Sequence, residues 1–584
     1  MTSHRTRVLA RLAAAASALA LAGPAAAGDG DLNVYYGDLH LHTSYSTDAV
    51  FLSGARTGLD DAYRFARGEA VEYAGQMLRR DEPLDFIAVT DHAEQMGVGR
   101  ALYDDEGPLA ATEMSRTLRA GKHAPISQVE RLFKSSDPIP GVDVKPIIAG
   151  AWRAEKQAVD RYYQPGVFTT FLAYEWSATP DGQNLHRNVI FRGNEAPLPF
   201  SSIDSLRPED LWTWLEENRA RGIEALAIPH NADVSNGLMY APTDSDGKPI
   251  DARYARRRAA NEPIGEIYQS KGQSETHPLL SPPDELASFE IFESLMGATG
   301  GMRRGEPSGS YFREAWGRGL AIAKATGENP FAFGVVGATD LHTGLADTRE
   351  STYRGPGMMG ELPVEAVKVL LAQTEDPNPV IPLIATGSGG LAGIWAPENT
   401  REALYDALRR KETFATSGTR IALRVFGGSD HPADLVQKPG WREAAQAGGV
   451  PMGATLPARS AEDGAAPRIA VLALQDPRGA KLERVQVVKV WLGEDGPAEQ
   501  VYDAKVAKDG APSLEVVWQD PGFDAARPAL YYVRVVELPT PRWSTLLAKE
   551  AGLPPTKGYP ETIQERAWSS PIWYSPPGAT TASN

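Results

Sequence analysis

Gly37-Asp38-Leu39-His40-Leu41-His42-Thr43 ends the first long apolar run of the mature chain, and its reading decides the fold. Residues 34–40 have the composition of a strand, and residues two apart on a strand point to one face. The imidazoles of His40 and His42 therefore share a side and can reach one metal ion. A His-x-His pair occurs about as often on a structural or surface strand as at a metal, so recurrence has to decide. Of ten histidines in all, His92 ends a second strand in Thr90-Asp91-His92, and His230 ends another after Pro229. His342 ends a late one in Asp340-Leu341-His342. Glu175 closes a wholly apolar run that begins at Phe168, and His186 opens the short strand after it. Burying such a set without a metal costs roughly 2–7 kcal/mol for each unpaired polar group.

Outward from this stretch, short apolar runs at 34–40, 86–91, 168–175, 187–191, 225–230, 289–294 and 333–340 alternate with longer helical segments. That pattern predicts repeated β-α units, an α/β fold with parallel strands covered on both faces, and seven such strands point to a barrel. In a parallel barrel the strand ends face one mouth, where catalytic residues gather. Segments 94–166 and 236–287 are longer than a crossover needs and are expected to shape the entrance. From about residue 420 the character changes. Runs at 421–425, 468–474, 485–492, 514–518 and 530–536 predict an antiparallel β-sandwich. The expected division is a leader over 1–27, the barrel over 28–420, and the sandwich with a short tail over 421–584.

The leader is read from Arg5, Arg7 and Arg11, a short apolar run to Leu21, and the small residues Ala25-Ala26-Ala27. It implies an exported protein, periplasmic or secreted, and no later segment reads as a membrane span. The absence of cysteine excludes thiolate ligands and a cysteine nucleophile, leaving nitrogen and oxygen donors for any metal. Net charge is −16, and loss of the three leader arginines takes it to −19, which argues against nucleic acid as a partner. An anionic substrate has to be attracted locally rather than by the overall field.

His40-x-His42, Thr90-Asp91-His92, Glu175, Pro229-His230 and Asp340-x-His342 together resemble the PHP (polymerase and histidinol phosphatase) superfamily. The Gly37 to Thr43 opening and the closing Ala567-Trp568-Ser569-Ser570-Pro571-Ile572-Trp573 look like its DUF3604 branch, over essentially the whole mature chain. The resemblance implies a distorted (β/α)7 barrel holding two or three divalent ions, with zinc, manganese and iron all admissible. It implies one ion on His40, His42, Glu175 and Asp340, and a second on Glu175, His186 and His230, with Glu175 bridging. A third would sit on Asp48, His92 and His342. The implied chemistry is hydrolysis of a small-molecule ester by a hydroxide shared between ions, whose pKa coordination lowers to about 7. Glu175, Asp340 and His342 are expected to carry catalysis. A phosphate ester is the favoured substrate; a carboxylic ester, carbamate or amide is the alternative.

Several side chains carry secondary expectations. Asp91 is expected to hydrogen-bond a ligating imidazole and fix its tautomer; Asp38 either does the same or caps its loop. Glu293 is a substrate contact or an ion-pair partner, and Trp176 lines the pocket or packs in the core. His4, His123, His277 and His431 read as surface residues. Trp518, Trp543, Trp568 and Trp573 leave open a carbohydrate- or surface-binding protein, though core packing is the simpler use. The oligomeric state is left open.

Overall fold

The computed structural model describes residues 32–121, 126–295, 305–372, 383–459 and 465–577. The expected leader, His4, His123 and most of the expected tail lie outside them. Through the first two thirds of the chain the strands that matter here are β1 (Asn33–Asp38), β2 (Phe86–Ala88), β3 (Thr169–Phe171), β4 (Ala173–Trp176), β5 (Arg187–Phe191), β6 (Ala225–Pro229), β7 (Ile264–Gln269) and β8 (Gly334–Gly337). Then come β9 (Leu391–Ala396), β10 (Thr413–Thr416), β11 (Ala422–Gly428), β12 (Arg468–Leu474), β13 (Leu482–Leu492), β14 (Pro497–Ala511), β15 (Ser513–Gln519), β16 (Ala529–Glu537), β17 (Arg566–Ser569) and β18 (Ile572–Tyr574). The helices that matter here are α1 (Thr47–Phe51), α2 (Lys145–Tyr162), α3 (Pro208–Arg219), α4 (Ala252–Asn261), α5 (Phe312–Thr326) and α6 (Arg401–Arg410). Helix starts follow local chemistry: Asp251 caps α4 by accepting from Tyr254 N–H, and Thr400 caps α6 by accepting from Ala403 N–H.

The alternation of strands and helices holds, but the all-parallel expectation does not. β1, β2 and β3 pair in parallel, as do β7 and β8. β4, β5 and β6 form a separate antiparallel sheet, and β9 and β10 run antiparallel beside β1. Only residues 177–186 separate β4 from β5, too short for a parallel crossover, which takes a dozen residues or more. The run 168–175, read as one strand, divides at Leu172 and changes partners from β2 to β5.

A second correction concerns the sixth strand. Phe289 and Glu290 lie in a turn and 291–294 form no strand, with Glu290 at φ 38° and its carboxylate paired to Arg542 at 2.8 Å. No strand residue adopts that φ. The strand is instead β7, inside the segment read as an insertion, where Glu266 and Gln269 interrupt the apolar pattern. The other long segment, 94–166, buries Val98, Leu102, Leu109, Met114, Leu118 and Leu132 in a small core of its own.

The C-terminal strands lie where the sequence placed them, but they do not stand apart. β11, β12 and β15 form an antiparallel sheet. β13 and β16 join the sheet of β1, through β17 on β10 and β9. Leu423, Val425, Ile469 and Val471 of the smaller sheet share a buried cluster with Val485, Val487, Val533 and Val535 of the larger. Behind α5, Arg313 pairs with Glu275 at 2.7 Å and Asp284 at 2.8 Å, and Arg534 of β16 pairs with Asp284 at 2.8 Å, all buried. Removing one side of such a buried network costs about 3–5 kcal/mol, because it strands the other charges. A chain ending at residue 420 should therefore be insoluble or melt without cooperativity. A soluble fragment with a sharp calorimetric transition would contradict this.

Candidate metal centre

β1 ends at Asp38, and the chain beyond it is held. The Asp38 carboxylate accepts the N–H of His40 and that of Thr339, each at 3.1 Å, so it clamps two loops rather than an imidazole. Asp340 N–H donates to His40 O at 2.8 Å and His42 N–H to Leu341 O at 3.0 Å. Residues 38–42 and 339–342 thus run side by side, with Leu41 bridged to Leu341. Asp340 takes φ 53°, a left-handed conformation that Asp tolerates better than most residues. Opposite, His92 is bridged in parallel to Glu175, and His186 and His230 sit at adjacent ends of β5 and β6.

All nine side chains expected at the site come together. His40 Nε2 lies 3.1 Å from His42 Nε2, 3.4 Å from Glu175 Oε2 and 3.2 Å from Asp340 Oδ1. His42 Nε2 lies 3.1 Å from the same Glu175 oxygen and 3.3 Å from the same Asp340 oxygen. Donors about 2.0–2.1 Å from a central ion sit about 3.3–3.4 Å apart at the corners of a tetrahedron. These five distances, 3.1–3.4 Å, lie at or just below that figure. The other Glu175 oxygen, Oε1, lies 2.5 Å from His186 Nδ1 and 3.1 Å from His230 Nε2. A third group joins Asp48 Oδ2 to His92 Nε2 at 3.0 Å and His342 Nε2 at 2.9 Å. These buried histidine and glutamate groups can hold metal ions.

The outer nitrogen of most of these imidazoles has a partner that accepts its hydrogen. His40 Nδ1 meets Glu266 at 3.0 Å, and His342 Nδ1 meets the Asp340 carbonyl at 3.0 Å; the carbonyl only accepts, as does the Glu266 carboxylate when ionised. His42 Nδ1 meets Ser46 Oγ at 2.9 Å, and that hydroxyl gives its own proton to Asp91 at 2.6 Å. Ser177, beside His92 Nδ1, donates to Glu175, and Thr179, beside His186 Nε2, donates to the Ser177 carbonyl. Each of these five rings therefore carries a hydrogen outward, and when the ring is neutral its inward nitrogen is a lone pair. His230 differs: its Nδ1 is buried with no hydrogen-bond partner among the described residues. Asp91 works through Ser46 and Thr43 rather than touching an imidazole, which corrects its expected role.

Electrostatics follow from burial and neighbours. Burial opposes the charge of Glu175, yet His92, His230 and His186 around it hold the carboxyl well below the usual range. Burial likewise opposes the charge of Asp340, which Lys271 and His40 hold low. Burial pushes Glu266 up to about 7 against the pull of His40, and burial with nearby His40 takes His230 down to about 3.

Other expectations divide. Trp176 is wholly buried in the core, and Glu293 pairs with His277 at 3.0 Å. His277 and His431 are buried rather than exposed, His431 donating to the Ala445 carbonyl at 3.0 Å. Trp543, Trp568 and Trp573 are core residues, with Trp568 Nε1 donating to Glu275 at 2.6 Å. Sequence reasoning passed over Glu266, Ser46 and Lys271, whose ammonium contacts Asp340 Oδ2. Glu266 carried a usable signal in the short alternation Ile264-Gly265-Glu266-Ile267-Tyr268; Lys271 carried none.

Fold and site together define an α/β protein with a buried histidine–carboxylate cluster able to bind metal. The chain belongs to the family described as "Protein of unknown function (DUF3604)", which matches residues 29–509 and 503–576. Curated proteins offer no match. Among solved structures, a two-domain protein from Bacteroides vulgatus ATCC 8482, containing a predicted PHP-like metal-dependent phosphoesterase, is similar over 86% of this chain and 90% of that one. Identity is 9% and the TM-score 0.26, too slight a likeness to bear on function.

The outer partners should matter to metal binding more than to folding. Ser46→Ala and Glu266→Gln should each weaken metal affinity by about 10–100-fold, measured by chelator competition. Wild-type affinity in both variants would mean that these contacts do not orient the rings.

Proposed function

We propose that this chain is an exported metal-dependent phosphoesterase with two or three divalent ions. His40, His42, Glu175 and Asp340 hold one ion, Glu175, His186 and His230 the second, and Asp48, His92 and His342 the third. The observation that carries this reading is the division of Glu175. Its Oε2 faces the His40–His42 pair and its Oε1 faces His186 and His230, the arrangement of a bridging carboxylate. Export rests on the leader over 1–27, and the division at about residue 420 into a barrel and a β-sandwich belongs to the same proposal.

Metal ions bound here would supply a nucleophile from water at neutral pH and stabilise charge on the transferred group. The chain's own residues do the rest. His40 and His42 present lone pairs held by Glu266 and Ser46. Asp48, His92 and His342 sit at the more open edge of the cluster, so a substrate approaches from their side. Phosphate esters suit the site better than neutral esters because several cations can share the charge of a phosphoryl group. Hydrolysis of a carboxylic ester, carbamate or amide is the competing outcome.

Purified protein should carry at least two metal ions per chain by elemental analysis, and a strong chelator should abolish hydrolysis. A panel of phosphate and carboxylic esters with metal-replete protein identifies the reaction. Full activity in metal-free protein, or hydrolysis of carboxylic esters alone, would refute the proposal. Glu175→Gln keeps shape but removes the shared charge. It should lower activity by at least about 100-fold while shifting the melting temperature little. Wild-type rate and metal content in that variant would remove Glu175 from the bridge.

A further inference from the structure

Lys271 lies two residues beyond β7, and its ammonium contacts Asp340 Oδ2. The same oxygen accepts from Gln269 Nε2 at 2.7 Å and from Asn231 Nδ2 at 3.5 Å. Asp340 Oδ1 is the atom beside His40 and His42. A single carboxylate thus separates the ammonium from the centre of the tetrahedral group. Among the described residues, no other lysine or arginine is paired with a carboxylate of the cluster.

Position distinguishes a brace from a contact. The floor of the cluster is closed: the side chains of His40, His42, Glu175, His230 and Asp340 are at most 2% exposed. The rim is more open, with Asp48 at 16%, His342 at 12%, His186 at 10%, Lys271 at 8% and His92 at 7%. Lys271 therefore belongs with the residues a ligand meets. Its neighbours Asn231 and Asp340 hold φ of 51° and 53°, backbone strain of a kind that gathers at ligand sites. A fixed ammonium would also be repelled by divalent ions bound here, and the charge of Asp340 would already be shared with the ion on His40 and His42. An anion lying between ammonium and metal relieves that repulsion.

We infer that Lys271 is a substrate-contacting residue, its ammonium receiving a non-bridging oxygen of the phosphoryl group and setting a preference for anionic over neutral esters. The inference rests on the phosphoesterase reading. Lysine suits the role as a compact point charge that binds phosphate without demanding one geometry.

The test uses full-length protein with its metal. Lys271→Met should weaken binding of inorganic phosphate, read by calorimetry, about 100-fold and lower kcat/KM for p-nitrophenyl phosphate by a similar factor. Metal content should stay at the wild-type value, and Lys271→Arg, which keeps the charge, should restore phosphate affinity to within about 10-fold. If Lys271→Met fails to fold, Lys271→Gln is read in its place. Unchanged phosphate affinity in a folded variant, or a loss fully explained by lost metal, overturns the inference and leaves Lys271 as a brace for Asp340. Lys271-dependent phosphate binding without any phosphate-ester hydrolysis overturns the function instead and leaves the contact standing. Phosphate-ester hydrolysis indifferent to Lys271 does the reverse.

Discussion

The constraint on which the site depends is that, with their rings neutral, His40, His42, His92, His186 and His342 all turn acceptors toward the carboxylates. Five imidazoles approach the carboxylate of Glu175, from His40, His42, His92, His186 and His230. Four of these rings, and that of His342, direct a hydrogen to an outer partner, so in the neutral state lone pairs would face carboxylate oxygens at about hydrogen-bond distance. Burial opposes protonating the rings, but the carboxylates around them outweigh it at His40, His42 and His92, which are raised, His92 to about 10. Cations shared among them satisfy each donor atom at once. The cluster can hold metal ions, which would take the place of the ring protons.

Holding lone pairs in that array is a task for atoms outside it. Asp91 contributes without touching a ring: it takes the hydroxyl protons of Thr43 and Ser46, and Ser46 is thereby left to accept from His42. Asp38 acts on the backbone, joining the loops that carry His40 and Asp340. Such contacts convert flexible loop ends into fixed donors, and preorganisation of this kind is what binds a metal tightly.

The inward-facing set was legible because a strand's two-residue period and its exit at the sheet edge are written in the chain. His40, His42, His92, Glu175 and His230 each close an apolar run. The outer set was not legible, since Ser46, Ser177 and Thr179 are ordinary loop residues whose meaning depends on which ring comes to lie beside them. Glu266 was obscured differently: it faces the cluster from β7, a strand whose polar positions broke the apolar pattern. The apolar run at 289–294 pointed to a strand, yet Glu290, paired with Arg542, sits in a left-handed turn. His277 and His431 sit in polar stretches, and polarity gave no sign that Glu293 and the Ala445 carbonyl would bury them. Strand direction was misjudged where a short connection, 177–186, should have outweighed the parallel pattern around it.

The site also depends on the end of the chain, through β8. Val335 N–H donates to Ser570 Oγ at 3.0 Å, Thr413 Oγ1 donates to the Val335 carbonyl at 2.8 Å, and the two hydroxyls meet at 3.0 Å. β8 lies so close to these groups that a Cβ on Gly334 would stand 2.6 Å from Ser570 Oγ, and one on Gly337 2.8 Å from the Thr416 carbonyl. Glycine at both ends lets the strand lie flush against β10 and the closing segment. Asp340 follows three residues later with its backbone already committed to His40. A shift of the closing segment therefore reaches Asp340 with little backbone slack between, and with it the oxygen beside His40 and His42. The last strands of the chain are thus part of what sets the geometry of residues nearly the whole sequence away.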